Sequence, residues 1–258
     1  MSSSLTKMLS ILELFDESTP TWTADAVCQR LNFSTSSGYR YLRELCDAGL
    51  LARLTGGVYT LGVRIAELEY VLRTADPIAK VGKPVLKALA NSTGCDALLS
   101  SLHGLHIINM HHERGVEDLN LTYVRGRQHP LFRGAVAKAI LPFLRRPLLV
   151  KLYASHAKTI ANEQLGTDWL SFWRTLQTMK QQGFSESREE LDPSLHGLGV
   201  PVFVGETLVG SLTIVYSSAR ARVLSREGLV EQLQAASREM SKALQEITTP
   251  EMDDAAHA

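Results

Sequence analysis

Apolar residues in the first part of the chain recur in steps of three and four. Leu5, Met8, Leu9, Leu12 and Phe15 fall at i, i+3, i+4, i+7 and i+10, the stripe of an amphipathic helix that should end before Ser18-Thr19-Pro20. A second, short helix is expected from Thr23, whose hydroxyl can accept from free backbone N–H groups while Asp25 stands in the positively polarised first turn. Its buried face would be Ala24, Val27, Cys28 and Leu31, and it stops at Asn32-Phe33. Ser34 is then a capping residue for a third helix that runs toward Gly49, a residue able to take the left-handed conformation that closes a helix. At 100° per residue this helix has two faces: Gly38, Tyr41, Leu42, Leu45 and Cys46 on one, Ser36, Tyr39, Arg40 and Arg43 on the other. Directly behind it, Leu50 to Leu61 form two short β-prone runs around Gly56-Gly57, the pattern of a hairpin.

The second half has an α+β pattern. An apolar helix from about Pro77 to Ala90 leads to Gly94, and ALLSSL and GLHIINMHH read as two strands joined at His103-Gly104. A helix follows Gly134, another covers Trp169 to Gln182, and the strands GVPVFV and LVGSLTIVY flank a tight turn at Gly205-Glu206. A long closing helix, capped by Ser225, carries Leu229, Leu233, Ala236, Met240, Leu244 and Ile247 on one stripe. Trp169, Phe172, Trp173 and Leu176 have helical spacing, so they are expected to pack in a core rather than to form a ligand box.

Composition narrows the class. With 258 residues, 45% apolar and 21% charged, the chain fits two soluble domains better than one. No apolar stretch approaches the roughly 18 residues of a spanning helix, and acids interrupt the apolar pattern of the N-terminus, so a cytoplasmic protein with no membrane partner is expected. Cys28, Cys46 and Cys95 are too few and too scattered for a disulfide framework. Seven histidines lie between His103 and His196, but none has a cysteine or carboxylate at metal-ligand spacing, so neither a metal nor another cofactor is expected. Net charge is zero, yet Gln29 to Arg64 holds five arginines against Glu44 and Asp47, a local basic footprint inside a neutral protein.

That footprint coincides with the polar face of the third helix. A helix entering a DNA major groove needs hydrogen-bonding side chains near its N-terminus for base edges, with cations flanking them for phosphates. Thr35, Ser36, Ser37 and Tyr39 supply the first, Arg40 and Arg43 the second, and the hairpin would place Arg53 beside a neighbouring phosphate or minor groove as a wing does. The expected reading is a winged helix-turn-helix that binds double-stranded operator DNA. The competing class is a methyltransferase-type enzyme with an N-terminal winged-helix dimerisation domain. It requires a glycine-rich loop between a strand and a helix, whereas GLGVPV runs into a strand. No G-x-S-x-G elbow supports a serine hydrolase either.

The run STSSGYRYLRELCDAGLLARLTGGVYTLGVRIAEL resembles the winged helix of the IclR family of bacterial transcriptional regulators, with its Ser-Thr helix start, Ala-Gly-Leu end, glycine-containing wing and Tyr-x-Leu-Gly exit. The resemblance continues at PLFRGAVAKAILPFL and at GFSESREELDPSLHGLGVPVFVGETLVGSLTIVYSS. It implies a DNA-binding domain over residues 1–62, a linker helix over 63–76, a GAF-like effector-binding domain over 77–248 and a disordered tail over 249–258. It implies a regulator, repressor or activator, rather than an enzyme, working as a homodimer or homotetramer. It also implies an effector site at Gly134 and Ala135, Leu195, His196 and Gly197, then Thr213 and Val215. Arg133 adjoins this helix start and has two readings: a guanidinium beside unpaired backbone N–H groups that seats a carboxylate, or a surface arginine paired with a nearby glutamate. Gly197 stands where several members carry a cysteine, so the expected effector is an aromatic or otherwise bulky small carboxylate from a catabolic pathway.

Overall fold

The computed structural model describes residues 3–123 and 125–248 and divides between Ala75 and Asp76 into two units. The tail expected over 249–258 lies outside the described residues. In the first unit, helix α1 (Ser4–Leu9) is shorter than its apolar stripe predicts and is followed by a single 3-10 turn at Leu12–Leu14. The break has a local cause: the Ser10 hydroxyl donates to the Lys7 carbonyl at 2.8 Å, and Ile11 and Leu14 form tighter i→i−3 bonds. As a result Leu5 and Leu9 face outward and Ile11, which is outside the predicted stripe, is fully buried.

Strand β1 (Trp22–Thr23), not foreseen, precedes α2 (Ala24–Leu31), and the Thr23 hydroxyl caps that helix by accepting from the Ala26 N–H at 3.3 Å. Asn32 closes α2 in the left-handed conformation, and Ser34 caps α3 (Thr35–Asp47) by accepting from Ser37 N–H. Strands β2 (Leu51–Arg53) and β3 (Val58–Leu61) form the hairpin, and β1 adds to β3 to give a three-stranded antiparallel sheet in the order β1-β3-β2. The core joins Ile11, Val27, Tyr41, Leu42, Leu45 and Leu51. Gly38 is where α2 and α3 touch: a Cβ there would lie 2.2 Å from Cys28 Sγ. Gly38→Ala should therefore destabilise the unit by about 1–2 kcal/mol despite alanine's better helix propensity. The Cys28→Ala, Gly38→Ala pair should recover most of that loss in urea unfolding, and a single variant as stable as the parent would remove this contact from the account. Helix α4 (Val63–Ala75) follows, and none of its described side chains is buried.

The second unit begins with α5 (Pro77–Thr93), capped by Asp76, which accepts from Ile78 N–H at 2.9 Å. Strands β4 (Asp96–His103) and β5 (His106–Glu113) follow, then α6 (Gly134–Ile140), α7 (Arg146–Asn162) and α8 (Trp169–Gln182). Strands β6 (Ser185–Arg188), β7 (Leu195–Val204) and β8 (Thr207–Ser217) complete an antiparallel five-stranded sheet in the order β5-β4-β8-β7-β6, and α9 (Arg226–Thr248) closes the unit. α7 and β6 were not anticipated. α7 is interrupted at His156, whose backbone leaves the helical region, and β6 is a short polar edge strand without an alternating apolar signal. The aromatic stripe of α8 packs with Leu149, Leu152 and Ile160 of α7 in a separate core, as its spacing predicts.

The sheet has two unlike faces. Ala97, Leu99, Leu212 and Ile214, with Leu198, Val200 and Val202, pack against α5 and α9 as the main core. On the alternate positions of β4 and β8 stand Leu98, Ser100, Ser211, Thr213 and Val215, paired as Leu98 with Thr213 and Ser100 with Ser211. Gly197 and Gly199 of β7 lie beside them and let α6 approach, and the Ser185 hydroxyl donates to the Ala135 carbonyl at 2.6 Å.

Candidate DNA-reading surface and effector cavity

The capping of α3 fixes what its first turn presents. Ser34 holds the end of the helix, its hydroxyl donating to Ser37 Oγ at 2.9 Å, which leaves Ser37 half-buried while Thr35 and Ser36 are exposed. One turn later Tyr39 is 46% exposed, and Arg40 extends along the surface with its guanidinium 5.3 Å from the Tyr41 ring centre. Arg43 has 82% of its side chain in solvent and meets Asp47 at 3.7 Å. Arg53, opposite Tyr59 in the hairpin register, closes the arrangement from the wing. Tyr39, Arg40, Arg43 and Arg53 line one open cleft together with Glu44, Cys46 and Tyr59. The last three were not among the predicted site residues. Cys46 had been assigned to the buried face, and burial with Asp47 nearby pushes its thiol pKa up, so it is a neutral wall of the cleft. The cleft thus offers three guanidinium groups, two phenols and the Glu44 carboxylate beside two exposed hydroxyls at a helix start, a set whose cations can hold phosphates and whose hydroxyls can reach base edges.

The second candidate site lies between α6 and the polar face of the larger sheet. It is a small, half-open cavity of about 50 Å³. Six of the eight predicted effector residues line it: Ala135, Leu195, His196, Gly197, Thr213 and Val215. The other walls are Leu98, Leu121, Val136 and Leu191 with the polar Tyr123, His129, Ser187 and Asp192. Gly134 and Arg133 are not in the lining. Arg133 is half-exposed and meets Glu163 at 3.7 Å, and the Gly134 N–H donates to Glu190 Oε2 at 2.9 Å. Glu190 is held on its other oxygen by Lys138 Nζ at 2.5 Å, so the chain's own carboxylate occupies the start of α6.

Four buried side-chain atoms have no hydrogen-bond partner among the described residues: both ring nitrogens of His129, Ser211 Oγ and Thr213 Oγ1. Buried polar atoms are nearly always paired, so a cluster of orphans on one face calls for an explanation. His129, 4% exposed and stacked on Tyr123 at 4.9 Å, was missed in the sequence because it sits in an irregular segment with no periodicity. The other six histidines between His103 and His196 include His111 against Glu113, His112 against Asp96 and His106 against Gln128. Among the described residues, no three His, Cys, Asp or Glu side chains converge as metal ligands would.

Burial lowers the His129 pKa to about 4, with Asp192 pulling in the opposite direction. Between that value and the ordinary imidazole pKa the unfolded chain binds a proton that the folded chain does not. The resulting contribution to stability is fully present above about pH 6.5 and falls away by about 3 kcal/mol as pH drops toward 4. Urea unfolding across this range should show the loss, and His129→Gln should flatten it. An unchanged slope in the variant would assign the acid sensitivity to other groups.

The profile of the IclR helix-turn-helix domain matches residues 4–55, and that of the bacterial transcriptional regulator IclR C-terminal matches residues 71–242. The HTH-type transcriptional regulator KipR of Bacillus subtilis is 26% identical over 206 residues, covering 80% of this chain and 82% of KipR. An IclR transcriptional regulator from Silicibacter sp. TM1040 superposes with a TM-score of 0.80 at 19% identity, over 94% of this chain and 96% of its own. An IclR homologue from Microbacterium hydrocarbonoxydans, solved in complex with 4-hydroxybenzoate, superposes with a TM-score of 0.72 at 17% identity, over 94% of this chain and 99% of its own. A winged helix with a basic cleft, an α+β unit with a cavity over its sheet, and two family profiles spanning both lead to one conclusion: the chain belongs to the IclR family of bacterial transcriptional regulators, and it is a regulator rather than an enzyme.

Proposed function

We propose that the chain binds operator DNA sequence-specifically through α3 and the wing, in the cytoplasm, and that a small molecule held in the cavity under α6 adjusts its operator affinity. Thr35, Ser36, Ser37 and Tyr39 read base edges, while Arg40, Arg43 and Arg53 hold phosphates. The observation that carries the effector reading is the cavity's own chemistry: a mixed apolar and polar lining that includes His129 and Thr213, whose buried polar atoms have no partner among the described residues. Desolvating such atoms is costly unless something pairs with them, and a ligand is the partner that a sensor requires. The leucine and valine walls with the Tyr123 ring suit a flat, apolar body, and the 4-hydroxybenzoate complex of the Microbacterium relative is a precedent for an aromatic acid.

One winged helix touches few base pairs, so the operator-bound form is a homodimer or homotetramer with two reading heads at fixed spacing. Leu5 and Leu9 of α1 and Leu68, Tyr70, Val71 and Leu72 of α4 are exposed apolar side chains, the surface that a second copy would cover. Fluorescence anisotropy with the DNA upstream of the chain's own gene, with and without small aromatic acids, tests the proposal. Binding that no cavity ligand alters would remove the effector part, and no binding to that DNA would remove the operator part.

Thr213→Val supplies an independent check. Removing an unpartnered buried hydroxyl for an isosteric methyl should stabilise the free protein by about 1 kcal/mol while weakening its response to effector. Destabilisation on thermal unfolding would show that the hydroxyl has an internal partner and is not held for a ligand.

A further inference from the structure

We infer that the effector's polar group is uncharged when bound: a single small group that both donates and accepts a hydrogen bond, seated against His129 and Thr213. This rests on the cavity being the effector site. The carboxylate anchors expected from the sequence are committed elsewhere, Arg133 to Glu163 and the Gly134 N–H to Glu190. Among the described residues, no lysine or arginine is in the lining, and its carboxylate, Asp192, accepts from the Thr122 N–H at 3.2 and 3.3 Å. An anion in this cavity would meet a like charge and no cation among those residues, and desolvation penalises it further.

The unpartnered atoms point to a neutral guest. A neutral imidazole has one donor and one acceptor nitrogen, and a threonine hydroxyl can take either part. His129 and Thr213 are 4% and 1% exposed, so water does not freely satisfy them. The titratable groups around His129 are Tyr123 stacked on it, Asp192 and His196 in the cavity wall, and the Glu190–Lys138 pair at the start of α6. Of these, Asp192 favours the imidazolium, but burial outweighs it and keeps the ring neutral at physiological pH.

An alcohol, phenol or primary amide meets these requirements directly. A carboxylic acid meets them only if it brings a proton into the cavity. The full-length protein should therefore be titrated calorimetrically with benzyl alcohol, benzamide and benzoate, and with the corresponding aliphatic triad, at about pH 6 and pH 8 in buffers of different ionisation heat. Neutral members should bind equally at both values. An acid that binds should lose about tenfold in affinity per pH unit and take up one proton. His129→Leu should weaken any bound member about tenfold or more, and His129→Gln, which keeps a neutral donor and acceptor, should weaken it less. Carboxylate binding that is equal at both pH values and takes up no proton overturns the inference and leaves the cavity as the effector site. Silence from every member, with operator binding intact, removes the effector site and the inference together.

Discussion

Replacing Arg40 and Arg43 together by alanine lowers affinity for operator DNA by on the order of 100-fold and reduces the dependence of binding on salt. Each arginine contact to a base or phosphate is worth about 1–3 kcal/mol, so losing the two costs about 2–6 kcal/mol, and a loss of about 100-fold lies in the lower half of that range. Both side chains lie in solvent along the cleft between α3 and the wing, so their removal leaves the core of Leu42, Leu45 and Val27 untouched. The Arg43–Asp47 pair does not tie the guanidinium down, because an exposed pair at 3.7 Å is worth a fraction of a kcal/mol. The thermal midpoint and the binding of any cavity ligand should therefore match the parent. Operator binding with an unchanged salt slope would take these two residues out of the contact set and place the DNA on another surface.

Gly62→Ala should have the largest effect on stability, about 3 kcal/mol or more, and it should fall on the first unit alone. Gly62 ends the Tyr-x-Leu-Gly exit of the wing. A Cβ there would lie 2.0 Å from the carbonyl oxygen of Gly49 and 2.9 Å from that of Leu51. Both neighbours are backbone, so no rotamer change relieves the overlap. The position also joins the exits of α3 and the wing: the Gly62 N–H donates to the Leu50 carbonyl at 2.8 Å, and the Arg64 N–H donates to the Gly49 carbonyl at 3.2 Å. Two-domain unfolding followed by circular dichroism and calorimetry should show an early transition for residues 3–75 with the second transition unmoved. A single transition at the parent's midpoint would mean that the chain exit relaxes freely.

Most of the first unit was legible because its signals are local. Thr23 and Ser34 cap the helices they were expected to cap, and Gly56-Gly57 turns the hairpin at positive φ. The first helix was overextended because periodicity cannot see the Ser10 side chain capturing a carbonyl, and β1 was missed because its two residues pair only with partners 37 and 35 positions away. In the second unit the alternation along β4 and β8 marks strands, but which face would carry a cavity depends on α6 lying over it. The resemblance led to six of the cavity's residues. It could not lead to His129, whose role rests on burial without a partner, or to Glu190, which settles the charge at the start of α6 from 56 residues away.

The two faces of β8 divide its labour residue by residue. Leu212 and Ile214 are locked into the packing with α5 and α9, whereas Ser211, Thr213 and Val215 touch that packing not at all. Changes at Thr213 and Val215, which line the cavity, can therefore accumulate with the main core left in place, and a descendant of this chain could come to sense a different compound at a modest cost in stability.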